Sequence, residues 1–100
     1  MIVRQWRGLA KKEHVADYAA HFRDEVLPEL RKLTGFRGGQ VLRRELKDGV
    51  EITVLTRWDS LDAIRAFAGK DVEVAVVAHA AQSFFHSYDP KVSHHEVFVE

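Results

Sequence analysis

One hundred residues suffice for a single domain, here the whole span 1–100, with one modest core, and 46% apolar with 30% charged residues excludes a disordered chain. Lys+Arg and Asp+Glu both number 15, so the net charge is zero with neutral histidine and no basic stripe marks a nucleic-acid partner. The absence of cysteine removes disulfides, thiolate catalysis and Cys-ligated metal; no apolar run is long enough for a membrane helix and MIVRQWRGLA lacks a signal-peptide core, so a cytoplasmic location is expected.

Residues 2–9, rich in Ile, Val and Trp, predict a first strand that closes at Gly8 and the Lys11-Lys12 pair. From Lys12 the period becomes helical, with Val15, Tyr18, Phe22, Leu27, Leu30 and Leu33 as the apolar stripe. Pro28 interrupts it and predicts a kink, or one helix ending near Val26 and a short one opening at Pro28. Thr34-Gly35 is a stop signal. Phe36 to Lys47 reads as the second strand, in which Gly38-Gly39 implies a bulge or a close backbone approach. Asp48-Gly49 reads as a two-residue hairpin turn, and Val50 to Trp58 as the third strand, carried by Ile52, Thr53, Val54 and Thr56.

Asp59 or Ser60 can cap the next helix, Leu61 to Phe67, which pauses at Gly69. Asp71 to Ser83 reads as a continuing helical piece with alanines on several faces. Phe84 to Asp89 is ambiguous, Asp89-Pro90 marks a turn, and Val92 to Val99 is the last strand. The order β-α-β-β-α-β describes an α+β, ferredoxin-like unit: a four-stranded antiparallel sheet with helices on one face. Ile52, Val54 and Trp58 on one parity and Leu55 on the other imply that the uncovered face is apolar too. A homodimer packed through that face is the expected remedy.

Five segments carry a resemblance. They are Arg4-Gln5-Trp6-Arg7-Gly8, Thr34-Gly35-Phe36-Arg37-Gly38, Thr56-Arg57-Trp58-Asp59-Ser60, Phe67-Ala68-Gly69 and Val92-Ser93-His94-His95-Glu96-Val97. On these the chain resembles the antibiotic biosynthesis monooxygenase family, a branch of the dimeric α+β barrels. The resemblance implies two ferredoxin-like units joined sheet to sheet, each with a pocket between sheet and helices. Some relatives oxygenate aromatic polyketides with molecular oxygen and no metal or flavin; others cleave haem. The haem-degrading branch places a histidine and an aromatic ten residues apart in the second helical region. Those positions fall here at Phe67 and Val77, and His79 is two residues away, so haem degradation is a remote third reading.

The candidate site residues each have a bland alternative. Trp58 is a core anchor at a strand–helix junction or a wall for a flat ligand. Arg4 and Trp6 share one strand face, as a cation–π pair at the pocket mouth or dimer seam, or with Arg4 in solvent. His94 and Glu96 share a face of the last strand, with His95 opposite; Glu96 could orient His94 as a general base for a phenol, or the histidine is simply a hydrogen-bonded interior group. His79 sits among small residues, either in the pocket or at a close helix contact. Tyr18 can point its hydroxyl into the pocket, His21 flanks the stripe as a surface residue, and Phe84 and Phe85 are lid or core filler. His94 and His79 are therefore the candidate bases, and Arg4, Trp6, Tyr18, Trp58, Phe84 and Phe85 the candidate pocket. No converging ligand set predicts a metal, and no glycine-rich loop opens a helix, so no metal, nucleotide or flavin cofactor is expected. The leading reading is a cofactor-independent monooxygenase of an electron-rich aromatic. The alternative is a non-catalytic dimeric module that binds small molecules.

Overall fold

The computed structural model describes all 100 residues. Its sheet is antiparallel, with β1 (Ile2–Ala10) at the centre, flanked by β3 (Gly49–Trp58) and then β2 (Phe36–Leu46) on one side. On the other side two short strands stand end to end against β1. They are β4 (Phe85–Tyr88), which meets Gly8 to Ala10, and β5 (Ser93–Glu96), which meets Ile2 to Gln5. The ferredoxin-like order is thus kept, with the fourth strand position shared. The single last strand expected over 92–99 is shorter, and the ambiguous segment before it is a strand.

Alternation along β1 and β3 decides which face is covered. Arg4, Trp6 and Ala10 are buried with Val50, Ile52, Val54, Thr56 and Trp58, and the helices cover them. The opposite face differs from the expected apolar surface. There Leu55 lies between Gln5 and Gln40, and Thr53 between Arg7 and Leu42. It is a mixed polar and apolar face, because Gln, Thr, Arg and Glu51 are interspersed there with Val3, Leu9, Leu42, Leu46 and Leu55.

One helical path covers residues 12–30. A 3-10 turn (Lys12–His14) leads into α1 (Val15–His21), a π-helical stretch (Phe22–Val26) and α2 (Leu27–Leu30). The expected break at Pro28 is absorbed within this path. Proline lacks the N–H and its ring would strike the carbonyl four residues back. It sits in the first turn of α2, where no N–H is needed, and the preceding turn widens, with the Leu27 N–H donating to the Phe22 carbonyl.

Arg37 is the bulged residue of β2: the register shifts between Phe36 and Gly38, and Gly38 has φ 120°. The hairpin turns through Lys47-Asp48, one residue earlier than expected, and Gly49 opens β3. Ser60, not Asp59, caps α3 (Leu61–Ala68), its Oγ accepting from the Ala63 N–H at 3.1 Å. Asp59 is engaged instead by Arg37, at 2.6 and 3.0 Å.

The largest departure lies at 71–78, expected to be helical. It is a non-helical strap that opens with a turn at Val72-Glu73 and runs on from Val74 to the short α4 (His79–Gln82). The strap is stitched to the turn after β4: Ala75 N–H donates to the Pro90 carbonyl at 2.9 Å and Val92 N–H to the Glu73 carbonyl at 2.7 Å. Alternating Val72, Val74 and Val76 favour an extended chain, and the carbonyls of Val72 and Val74 are taken by the Arg4 guanidinium, which a helix would not release. No helix is long and apolar enough to cross a membrane.

Gly35 illustrates how tightly the junctions are drawn. Its φ is 90°, and a Cβ there would stand 2.6 Å from the Ala63 Cβ. Gly35→Ala is expected to cost about 2 kcal/mol, from the left-handed backbone and the overlap together. Urea unfolding checks this. Adding Ala63→Gly should return only the overlap part, so full recovery in the double variant would contradict a backbone contribution.

Candidate functional site

A cavity of about 70 Å³ lies between the sheet and its helical cover, lined almost wholly by apolar side chains. β1 supplies Arg4 and Trp6, and β3 supplies Val54 and Thr56. The helical path supplies Tyr18, His21, Phe22, Val26 and Leu30. Phe67 of α3, Val76, Val77 and Ala78 of the strap, Ala81 of α4, and Val92 complete the wall. Phe22, Val26 and Leu30 recur every four residues, so the π-helical stretch and α2 present one apolar edge to it. The strap forms one rim. The site therefore depends on the segment whose conformation the sequence did not predict.

Arg4 is the one cationic wall residue and is 4% exposed. Its guanidinium donates to the Val72 carbonyl, to the Val74 carbonyl at 2.9 Å and to His94 Nε2 at 3.0 Å. It lies 5.7 Å from the centre of the Phe67 ring. The expected cation–π partner, Trp6, is not the one used. The Phe67 ring stacks in turn on Trp58, 6.1 Å away, and Trp58 meets Phe36 edge-on at 5.2 Å. None of the ion pairs includes Arg4. Burial lowers its pKa to about 10, which leaves it cationic at neutral pH.

The predicted site residues separate on this geometry. Arg4, Trp6 and Tyr18 line the cavity. Trp6 is held by its indole N–H, which donates to the Asp89 carbonyl at 2.8 Å. Tyr18 packs edge-on against Phe85 at 5.1 Å, and burial raises its phenol pKa far above the ordinary value, so it stays protonated. Trp58 does not reach the cavity. It is fully buried, donates to Thr56 Oγ1 at 2.9 Å, and stands behind Phe67 and Thr56. Phe85 packs behind Trp6 and Tyr18, and Phe84 stacks on His14 at 5.4 Å; neither lines the space.

Neither candidate base stands in the cavity. His79 is exposed at the start of α4. His94 shares the covered face with Arg4, its register partner. The partner of its ring is a guanidinium rather than Glu96, so its Nε2 is an acceptor and its basicity falls. Burial and the Arg4 charge, in that order, lower its pKa, against a smaller upward pull from Glu73. His95 lies on the opposite face, against Ser93 Oγ at 2.8 Å. The histidine that borders the cavity is His21, its ring 6.0 Å from that of Tyr18. Its place three residues after Tyr18 is the sequence signal for this, and the expectation of a surface residue at the flank of the stripe is corrected.

His94 carries a pH dependence. A histidine disfavoured as a cation in the native state contributes stability that is present above its unfolded pKa, ~6.5, and is lost as pH falls through its lower native value. Proton NMR should give His94 a titration midpoint below ~6.5, and the native stability of His94→Gln should depend less steeply on pH below neutrality. A midpoint at or above the free-histidine value would contradict the Arg4 contact.

Comparisons with known proteins bear on the family and the fold. The family profile described as antibiotic biosynthesis monooxygenase matches residues 1–78, which include strands β1 to β3, the helical path, α3 and the whole strap. A Bacillus cereus protein described as a candidate antibiotic biosynthesis monooxygenase superposes with a TM-score of 0.71 at 18% identity, over 100% of this chain and 94% of that one. No curated protein matches the chain.

Proposed function

Because the chain belongs to the antibiotic biosynthesis monooxygenase family, we propose that it takes a small aromatic molecule into the cavity beside Arg4 and oxygenates it with molecular oxygen. The observation that carries this reading is the apolar cavity walled by Trp6, Tyr18 and Phe67, with one cation on its edge. A flat, electron-rich ring is what such a lining accommodates. In the reaction, the ring loses a proton and passes electrons to oxygen, and a C–O bond forms to give a hydroperoxide. The O–O bond then breaks; one oxygen stays on the product as a carbonyl and the other leaves as water. The protein's share is to exclude bulk water, hold the ring, and take the proton. That last role falls in this reading to His21, the histidine that borders the cavity.

The working form is a cytoplasmic homodimer. A mixed face carrying Leu42 and Leu55, together with the exposed Phe98, supports a second copy packed against the sheet. Light scattering at micromolar concentration should give twice the chain mass; a monomer there removes this part of the reading.

The test is oxygen uptake by chelator-treated protein against hydroquinones, anthrones and catechols. Saturable uptake that falls at least about tenfold in His21→Ala, as expected for loss of a general base, and persists in His79→Ala supports the enzyme. Uptake no faster than the spontaneous rate, with ligand still quenching Trp6 fluorescence, favours the non-catalytic binding module. That second reading draws on one observation: the half-buried His94 has its Nε2 occupied by Arg4.

A further inference from the structure

We infer that the cavity selects a ring bearing an ionised oxygen, a carboxylate or phenolate, which takes the place of the counter-ion that Arg4 lacks. This rests on the ligand-binding reading above and names the charge of its ligand.

A buried cation without a partner anion is costly, and native structures normally compensate it. Arg4 is compensated only by neutral acceptors: two carbonyls of the strap, one imidazole nitrogen and the face of Phe67. A guanidinium has five N–H groups, and three are used by these contacts. Nε–H is among those left without a protein acceptor. No buried side-chain nitrogen or oxygen is sealed without a partner, so this Nε–H meets accessible space. Arg4 lines the cavity, and the remaining lining near it is apolar. A neutral aromatic would leave the cation uncompensated and its N–H unpaired. An anionic oxygen satisfies both in one contact, and the low polarity of the wall strengthens it. The same charge favours the ionised form of a phenol and holds the electron-rich species that reacts with oxygen. Arg4 is thus assigned a ligand-positioning role, and the strap carbonyls and His94 hold its guanidinium in place.

The test compares matched ligands on the full chain by calorimetry. Benzoate against benzamide reads the carboxylate, and 4-nitrophenolate against nitrobenzene, in alkaline buffer, reads the phenolate. At least one anion is expected to bind about tenfold or more tightly than its neutral match, within the reach of a charge-assisted hydrogen bond. The Arg4 Nε–H resonance should shift with that anion and stay with the neutral ring. In Arg4→Met the preference should fall to about threefold or less. Because that variant can lose its fold, the wild-type ratios and the Nε–H signal decide by themselves. Neutral rings binding as tightly as the anions would overturn the charge assignment while leaving the cavity reading intact. No binding of any of the four would overturn both. Binding of an anion with an unmoved Nε–H signal would place the anion elsewhere and also overturn the assignment.

Discussion

Trp58→Ala is expected to destabilise the protein by about 3–5 kcal/mol, the usual cost of removing a fully buried large aromatic. That is a large fraction of the ~5–15 kcal/mol available to a domain of this class. The indole fills the angle between Phe36 and Phe67 and donates to Thr56 Oγ1. Removing it opens a void that these rings cannot close, because Phe36 opens β2 and Phe67 lies in the last turn of α3. The milder Trp58→Phe keeps most of the volume and loses the indole N–H, so about 1–2 kcal/mol is expected. Urea midpoints measure both. A wall residue would behave differently: substitution would change ligand affinity more than stability. For Trp58→Phe, affinity for a cavity ligand should stay within about threefold, since the indole stands behind Phe67 and Thr56 and not in the space itself. A stable Trp58→Ala would deny the residue its place as core.

The sequence disclosed the fold more readily than the site, and for a physical reason. Strands β1 to β3 and α3 are specified locally: the alternation in Val50 to Trp58, the Ser60 cap and the Gly69 stop all act over a few residues. The strap is specified by a contact that spans the chain. The alanines and spacing of Asp71 to Ser83 permit a helix, yet Arg4, remote in sequence, takes the carbonyls of Val72 and Val74 and holds the segment out of one. Alternating valines were the available signal, and it was outweighed by the alanines that follow. The same long-range contact hid the role of His94. From sequence, the neighbour two residues on was Glu96, which would raise its basicity; across strands the neighbour is Arg4, which lowers it. Arg4 and Trp6 were legible as a shared strand face, but the cation turns to Phe67 because Trp6 is held away by Asp89 and packs on Phe85. His21, expected at the surface, borders the cavity because the π-helical turn that begins just after it makes the covered edge of the helical path broader than a regular stripe predicts.

Replacing Arg4 by methionine should show that one side chain holds the strap. Methionine keeps much of the stem volume and removes the charge, so the loss is chiefly that of the guanidinium contacts. Two carbonyls and an imidazole nitrogen then lose their donor. Each charge-assisted contact contributes about 1.5–3 kcal/mol, partly offset because a buried cation no longer has to be desolvated; about 2–3 kcal/mol of net destabilisation is expected. The loss should be local before it is global. Val72 and Val74 are anchored at one edge by Arg4 and at the other by the bonds of Ala75 to Pro90 and of Val92 to Glu73. Hydrogen exchange should therefore quicken at the amides of Ala75 and Val92 well before those of β3, which pair on both sides and do not involve the strap. Arg4→Lys retains a cation but has no planar fork to bridge two carbonyls, so it should recover little of that protection. Unchanged exchange at Ala75 and Val92 in Arg4→Met would show that the valine packing alone keeps the strap extended. Selective loss there would identify Arg4, the cavity's only cation, as the anchor of the segment that forms its rim, so that a ligand drawing on the guanidinium also acts on the rim.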